Sequence, residues 1–579
     1  MMLSSLPVTL ALQAALLAAP AAPVDLSAKL AELPVASAAG AMSPRLSQNG
    51  DEIILSWLEP IEGAPAELKD DAFELKWGRL SASSGWSRPL SAAKSLRMFA
   101  NTADMPSVFP AKGIFFAHWL EKINEQPYAY DALIAQSRDG GRTWRHLGSL
   151  RRDSGRKENN YDGFLSFLPE GGSARAFWID GRNDRGEEDN YQLRTAKIAT
   201  SLREEAVLDG STCSCCDIGS ALTDKGPVVV YRGRRDGDIR DIHIVARKGS
   251  GWSQPRPVHT DGWQIAGCPV NGPQAAASGP LLAVAWFSGA GGRDSVKLAF
   301  SRDSGQTFAP PLELDDLSPG GPIGRVDVAL AGGEAFVSWL GRADESGQGV
   351  LFLRRVSPSG LASPIVRMMP IDAGWRSGFP QLVARKDELL LAWTGLPDKE
   401  DAPTLGVRTA RLALRDIPPA TGIPPSTTPS AALSADEIMK TSFKDLAGKE
   451  TRFSDLGGKL LLVSLWATWC EPCHKEQAEL AELHRLYSAK GLSIIGINLD
   501  LRRHRAKVES FVKERSLPYA VWLDPKSKAL SLFATNGVPS TFLMNPKGEI
   551  LFRKTGFLRL IGSELEKTIA RSLSAAPRP

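Results

Sequence analysis

Cys470 and Cys473 stand two residues apart in the stretch WATWCEPCHKE (466–476). A dithiol at this spacing can open and close a disulfide, and its surroundings favour that chemistry. Cys470 follows an apolar run, KLLLVSLWA (459–467), and opens a helical pattern, EPCHKEQAELAELHRLYSAKG (471–491). Its sulfur therefore falls at a helix N-terminus, where unpaired N–H groups and the helix dipole stabilise a thiolate. Pro472 stiffens the first turn at no hydrogen-bond cost, because N–H groups there lack helical partners. Glu476 lies one turn beyond Cys473. His474 either tunes the redox centre or faces solvent, and the solvent side is the expected one. The competing chemistries are a structural staple or half of a zinc site. No second C-x-x-C or His pair accompanies the motif in this part of the chain.

Three further cysteines crowd into STCSCCDIGS (211–220): Cys213, Cys215 and Cys216. The sixth is Cys268. Half of the cysteines in a 579-residue chain thus fall within four positions, and thiols at such density pair, bind a soft metal or exchange.

Whole-chain features bound the class. The chain is too long for one ordinary domain. Its composition is globular, 43% hydrophobic and 23% charged, and 69 basic against 65 acidic residues leave a net charge of +4. That balance gives no argument for nucleic acid as a partner. The segment LPVTLALQAALLAA (6–19), followed by small residues, fits a signal peptide over 1–21, although no Lys or Arg precedes it. The run is too short to span a membrane, and no other is long enough, so the mature chain is expected to lack a membrane span. The expected location is the periplasm or another exported, oxidising compartment.

Seven segments share an apolar stretch, a turn and an apolar strand ending in an aromatic. The aromatics are Trp57, Trp119, Trp178, Tyr231, Trp286, Trp339 and Trp393, spaced 62, 59, 53, 55, 53 and 54 residues apart. Four short strands per such period indicate a β-propeller blade. Seven blades are favoured over six. The turns SRDGGRTW (137–144) and SRDSGQTF (301–308) share S-x-D-x-G-x-T-aromatic, with Gly141 and Gly305 for positive φ. They resemble the Asp box of sialidase-like propellers, a structural turn without chemistry. The seventh repeat lacks a fourth strand, and the N-terminal DLSAKLAELPV (25–35) is a plausible donor to close the ring. A proline-rich stretch, IPPATGIPPSTTPS (417–430), reads as a stiff linker. The expected organisation is a signal peptide over 1–21, an all-β propeller over 24–416, a linker over 417–436 and an α/β domain over 437–575.

In that last domain strands and helices alternate around the C-x-x-C, which reads as a thioredoxin-like sheet. Residues 434–575 resemble the TlpA/ResA branch of the thioredoxin-like thiol–disulfide oxidoreductases, most specifically in LVSLWATWCEPC and GVPSTFLMNPKGEI (537–550). The resemblance implies that Cys470 attacks the substrate disulfide and Cys473 resolves the mixed disulfide. It implies that Glu476 assists proton transfer, that Pro539 is cis, and that Trp469 and Val538 line the substrate groove. It further implies a protein disulfide as substrate, a membrane electron donor of the DsbD type and no required cofactor. Ser464 stands where cytosolic thioredoxins carry a buried Asp, which leaves Glu476 or a water as proton acceptor.

Aligning repeats four and five places Cys216 and Cys268 each just before the innermost strand of adjacent blades. The four cysteines should then share one mouth of the channel. Three readings stand: a structural disulfide from Cys268 to Cys213, Cys215 or Cys216; a Cu or Zn site; and a substrate or relay for the C-terminal dithiol. Arg325 and Arg376 start inner strands, but Tyr is scarce and an Arg-Ile-Pro signature is missing, which argues against a glycosidase. The sequence therefore points to an exported, reducing thiol–disulfide oxidoreductase whose propeller binds or presents the substrate. The alternative is a metal-handling or interaction propeller whose cysteines the redox domain services.

Overall fold

The computed structural model describes residues 23–574 except 82–84, 127, 152–159, 185–189, 316–320, 343–348, 396–405, 423–434, 501, 526, 534, 536 and 558. The expected signal peptide and most of the linker's proline run lie outside the described residues. No helix among them is long and apolar enough to cross a membrane.

Residues 24–413 form seven sheets arranged as blades, antiparallel throughout except for one added strand. The strands that contact one another around the ring begin with Met42–Asn49, Ser107–Ala111, Asp162–Glu170, Gly219–Thr223, Gln274–Ser278, Pro322–Ala331 and Gln381–Arg385. The repeat aromatics lie one to three residues before the end of the second strand of each blade, and all seven are buried. The polar atoms of six are satisfied by acids: Trp57 donates to Glu59, Trp119 to Glu121, Trp178 to Asp180, Tyr231 to Asp209, Trp286 to Asp261 and Trp339 to Asp315. Pairing the one N–H or O–H of a large ring lowers the cost of burying it between blades.

Both Asp-box turns have the expected bonding. Asp139 Oδ1 accepts from the Thr143 amide at 3.0 Å, its Oδ2 from the Thr143 hydroxyl at 2.6 Å, and Ser137 Oγ accepts from the Gly141 amide at 2.9 Å. Asp303, Thr307, Ser301 and Gly305 repeat the pattern. Gly141 and Gly305 have φ of +84° and +80°, a region that penalises a side chain.

The N-terminal segment closes the ring as expected, and does more. Ala31–Glu32 pairs antiparallel with Val407–Ala413 and supplies the fourth strand of blade seven. Val24–Asp25 pairs parallel with Val366–Pro370 as an added fifth strand of blade six. One segment thus straps two blades and covers two edges. After the propeller, Gly422 exchanges two backbone hydrogen bonds with Ala362, so the start of the proline-rich stretch lies against blade six.

Residues 435–574 form one seven-stranded sheet with helices. Its order is Glu450–Arg452, Ser442–Asp445, Ala520–Leu523, Leu492–Asn498, Leu460–Trp466, Ser540–Met544, Ile550–Thr555. Leu460–Trp466 is parallel to Leu492–Asn498, which is parallel to Ala520–Leu523, while Ser540–Met544 runs antiparallel. This is the thioredoxin-like arrangement, with a helix at Ala435–Lys440 and a small hairpin added at its start.

The two parts dock through the mouth of the propeller. The Cys268 amide donates to the Val538 carbonyl at 3.3 Å, and the Phe557 amide donates to the Ala266 carbonyl at 2.5 Å. Buried Arg342 of blade six donates to the carbonyls of Leu530 and Thr535 at 3.1 and 3.2 Å. Trp375 of the propeller meets Trp469 edge to face at 5.6 Å. Met105, Val270, Trp375 and Phe379 join the apolar core of the redox domain as one cluster.

Candidate active site

The site begins at the C-terminal end of the central strand Leu460–Trp466. All seven of its residues are buried, which explains its nearly continuous apolar composition. The chain then turns through Ala467–Trp469 into the helix Glu471–Tyr487, with Cys470 as its N-cap. Asp500 shapes that turn. Its carboxylate accepts from the Thr468 amide at 2.7 Å, the Thr468 hydroxyl at 2.6 Å and the Asn498 side-chain amide at 2.7 Å.

Cys470 and Cys473 are joined in a disulfide, and both are wholly buried. The Cys473 amide donates to Cys470 Sγ at 3.2 Å. On reduction this donor and the helix N-terminus act on one sulfur, which favours the thiolate at Cys470 over that at Cys473. The Val538–Pro539 peptide is cis, as expected, and Pro539 O accepts from the Gly556 amide at 2.7 Å.

Glu476 is buried one turn below Cys473 on the same helix. Ser464 Oγ donates to its Oε2 at 2.9 Å and Thr541 Oγ1 donates to its Oε1 at 2.8 Å. Burial is the larger influence and raises its pKa to about 7, against the two hydroxyl donors that favour the carboxylate. Ser464, noted in the sequence only as a departure, therefore holds the acid in place.

His474 departs from expectation. It is half-buried, Nε2 donates to the Thr468 carbonyl at 3.0 Å, and its ring lies 4.8 Å from that of Phe511. The residue braces the turn before Cys470 instead of facing solvent, because the helix Arg505–Glu514 covers that side.

The arginines considered for a glycosidase have other work. Arg325 lies inside its strand, buried, with Nη1 donating to Gly374 O, Ser377 Oγ and Gly378 O and its guanidinium stacked on Trp375. Arg376 sits in the short helical turn Trp375–Ser377 and does not begin a strand.

The propeller cysteines meet where the blade alignment puts them. Cys213, Cys215 and Cys216 precede the inner strand Gly219–Thr223, and Cys268 precedes Gln274–Ser278. Cys213 Sγ lies 2.6 Å from Cys216 Sγ and 3.8 Å from Cys215 Sγ, and Cys215 and Cys268 line one cavity and pack on one apolar cluster. Arg240 Nη1 donates to Cys213 Sγ at 3.3 Å. Burial opposes a charge on Cys213, but thiol donors from Cys215 and Cys216 and the guanidinium groups of Arg240 and Arg232 outweigh it and hold its pKa below the ordinary thiol value. The bond to Cys213 pushes Cys215 the other way, and burial raises Cys216. Tyr161 donates to the Ser214 carbonyl and anchors the loop.

Between this cluster and the redox domain lies a cavity of about 1000 Å³, lined by Cys215, Cys268, Trp469, Pro472, Lys475 and Asp500 among others. Four of the chain's seven tyrosines, Tyr128, Tyr130, Tyr161 and Tyr191, also line it.

Residues 435–553 match the model of the AhpC/TSA family. The thiol-disulfide oxidoreductase ResA of Bacillus subtilis is 33% identical over 113 residues, covering 20% of this chain and 62% of that protein. ResA of Geobacillus kaustophilus is 32% identical over 106 residues, covering 18% and 60%. The chain thus spans about six tenths of the length of these curated relatives. Among solved structures, the thioredoxin domain of a thiol-disulfide oxidoreductase from Bacteroides vulgatus is 25% identical, covering 23% of this chain and 92% of that one, with a TM-score of 0.20. The C-terminal domain is thioredoxin-like and similar to ResA. Of the expected site residues, Trp469 and Val538 touch the propeller directly, through Trp375 and Cys268, and Pro539 follows Val538 in the chain.

Sequence reasoning missed Asp500, Thr541 and Trp375. Asp500 had a weak local signal, an acid directly after a buried strand. Thr541 and Trp375 come from distant segments and had none.

Proposed function

We propose that this chain is an exported thiol–disulfide oxidoreductase working in the reducing direction, with the propeller presenting the substrate disulfide to Cys470. The observation that carries the reading is Cys470 itself: an N-cap thiol accepting the Cys473 amide at 3.2 Å, with Cys473 as its disulfide partner. In the reduced enzyme Cys470 attacks a substrate sulfur, Cys473 releases the substrate by attacking Cys470, and Glu476 takes the Cys473 proton. A membrane dithiol protein of the DsbD type restores the pair. The apolar segment 6–19 supports export, and the cavity between the domains supports presentation by the propeller.

The full chain should catalyse reduction of insulin disulfides by dithiothreitol well above the uncatalysed rate, followed by turbidity. A rate equal to that of dithiothreitol alone overturns the proposal.

One observation favours a second reading, in which the redox domain services a soft-metal site. The sulfurs of Cys213, Cys215 and Cys216 lie within 4.8 Å of one another, a spacing that thiolate ligands of one Cu(I) or Zn ion could share.

A further inference from the structure

Four propeller thiols stand outside the Cys470–Cys473 couple and yet lie against it. Cys215 and Cys268 pack on the same apolar cluster that contains Cys470 and Cys473. Cys268 is bound there by its backbone: its amide donates to Val538 O, and Cys268 and Val538 form an antiparallel bridge next to Pro539. Two residues earlier, Ala266 O accepts from the Phe557 amide. The segment Ala266–Cys268 thus lies across two loops of the redox domain at once. Its approach is close enough to need glycine on both sides. A Cβ on Gly267 would stand 2.9 Å from Gly556 Cα, and one on Gly556 3.0 Å from Ala266 N. Cys470 is wholly buried under this arrangement. Cys268 and Cys215 are both partly buried and both line the cavity shared with Trp469 and Pro472, which flank Cys470 in the chain.

We propose that Cys268 is an in-chain substrate of Cys470, with a Cys215–Cys268 disulfide as the form reduced. The proposal rests on the Cys470–Cys473 couple being redox-active and names its partner. The Cys470 thiolate attacks Cys268 Sγ. The Cys215–Cys268 bond breaks, Cys215 leaves as thiolate, and a Cys268–Cys470 bond forms. Cys473 then attacks Cys470, closing Cys470–Cys473 and releasing Cys268. Two electrons pass from the C-terminal dithiol to the propeller pair. The negative charge of the Cys470 thiolate passes to Cys215, and the proton of Cys473 ends on Cys268 by way of Glu476. The state in the structure, Cys470–Cys473 closed and the four propeller thiols free, is the product of this step. Covalent attachment of both partners replaces a bimolecular encounter by a local one, which raises effective concentration.

The test is Cys473→Ala in the full chain, which stops exchange at the mixed disulfide. After oxidation with a small disulfide and blocking of free thiols, non-reducing peptide mapping should find Cys470 joined to Cys268 in most molecules. Adding Cys268→Ser should abolish that cross-link and leave Cys470 open to alkylation or to capture of the small disulfide. Circular dichroism and gel filtration confirm that both variants fold. Cys470 found only with the small disulfide, in a Cys473→Ala protein whose Cys268 is intact, overturns the proposal. So does a Cys215–Cys268 disulfide that persists in the wild-type chain after the Cys470–Cys473 pair has been reduced. Propeller thiols that carry copper or zinc through gel filtration, with no cross-link, overturn it in favour of a metal site. Insulin reduction by the wild-type chain separates the two claims: catalysis without a Cys268 cross-link removes the in-chain substrate and leaves the oxidoreductase.

Discussion

Cys470→Ala is expected to lower insulin reduction by at least about a thousandfold, to the rate of dithiothreitol alone. Cys470 is the N-cap of the redox helix and accepts the Cys473 amide, so reduction leaves the stabilised thiolate on this sulfur. Cys473 is one turn further in and buried within the helix. It lacks the N-cap position and cannot take over as the attacking thiol. The turbidity assay and a titration of accessible thiols read the result together. Activity in Cys470→Ala above about a tenth of wild type would contradict the assignment of the nucleophile.

Glu476→Gln should change both the pH profile and the pH dependence of stability. Burial raises the Glu476 pKa from the ordinary glutamate value of 4.5 to about 7, so the folded chain holds a proton that the unfolded chain has already lost. The favourable term of neutral Glu476 is complete below pH 4.5 and is lost as pH rises towards 7 and above. The gap corresponds to about 3 kcal/mol of stability at order of magnitude. Glu476→Gln removes this slope, so its stability relative to wild type should rise by a similar amount between pH 4.5 and pH 8, read by urea denaturation. In catalysis the resolving step should accelerate in wild type as Glu476 ionises through about pH 7, and Glu476→Gln should slow it by about a hundredfold and flatten that limb. An unchanged pH profile would assign the Cys473 proton to another acceptor.

What the sequence made legible was local. The aromatic near each second-strand end repeats because every blade must bury one such ring against its neighbour, and that recurrence is visible at spacings near 55 residues. The Asp-box turns bond to themselves, so their residues are contiguous. CEPC carries its own helix start. Even the meeting of Cys268 with Cys213–Cys216 could be read, since equivalent loops of adjacent blades share one mouth of the ring. The docking of the redox domain on that mouth could not. It depends on Gly267 against Gly556, Arg342 on the carbonyls of Leu530 and Thr535, and Trp375 on Trp469, pairs set by three-dimensional approach with no sequence period. His474 looked solvent-facing for a similar reason. Its helical position is near an exposed end, but Phe511 from a distant helix covers it. The doubled use of the N-terminal segment was likewise hidden. Two-residue strands such as Val24–Asp25 leave no alternation to detect.

The most direct measurement follows sulfur oxidation state during a single turnover. Fully reduced wild-type chain is mixed with less than one equivalent of a protein disulfide, quenched with acid, alkylated and mapped by mass spectrometry. The expected result is loss of alkylation at Cys470 and Cys473 together, one Cys470–Cys473 disulfide for each substrate disulfide reduced. Substrate reduced in that amount with Cys470 and Cys473 still fully alkylated would contradict the assignment of this pair as the reacting couple.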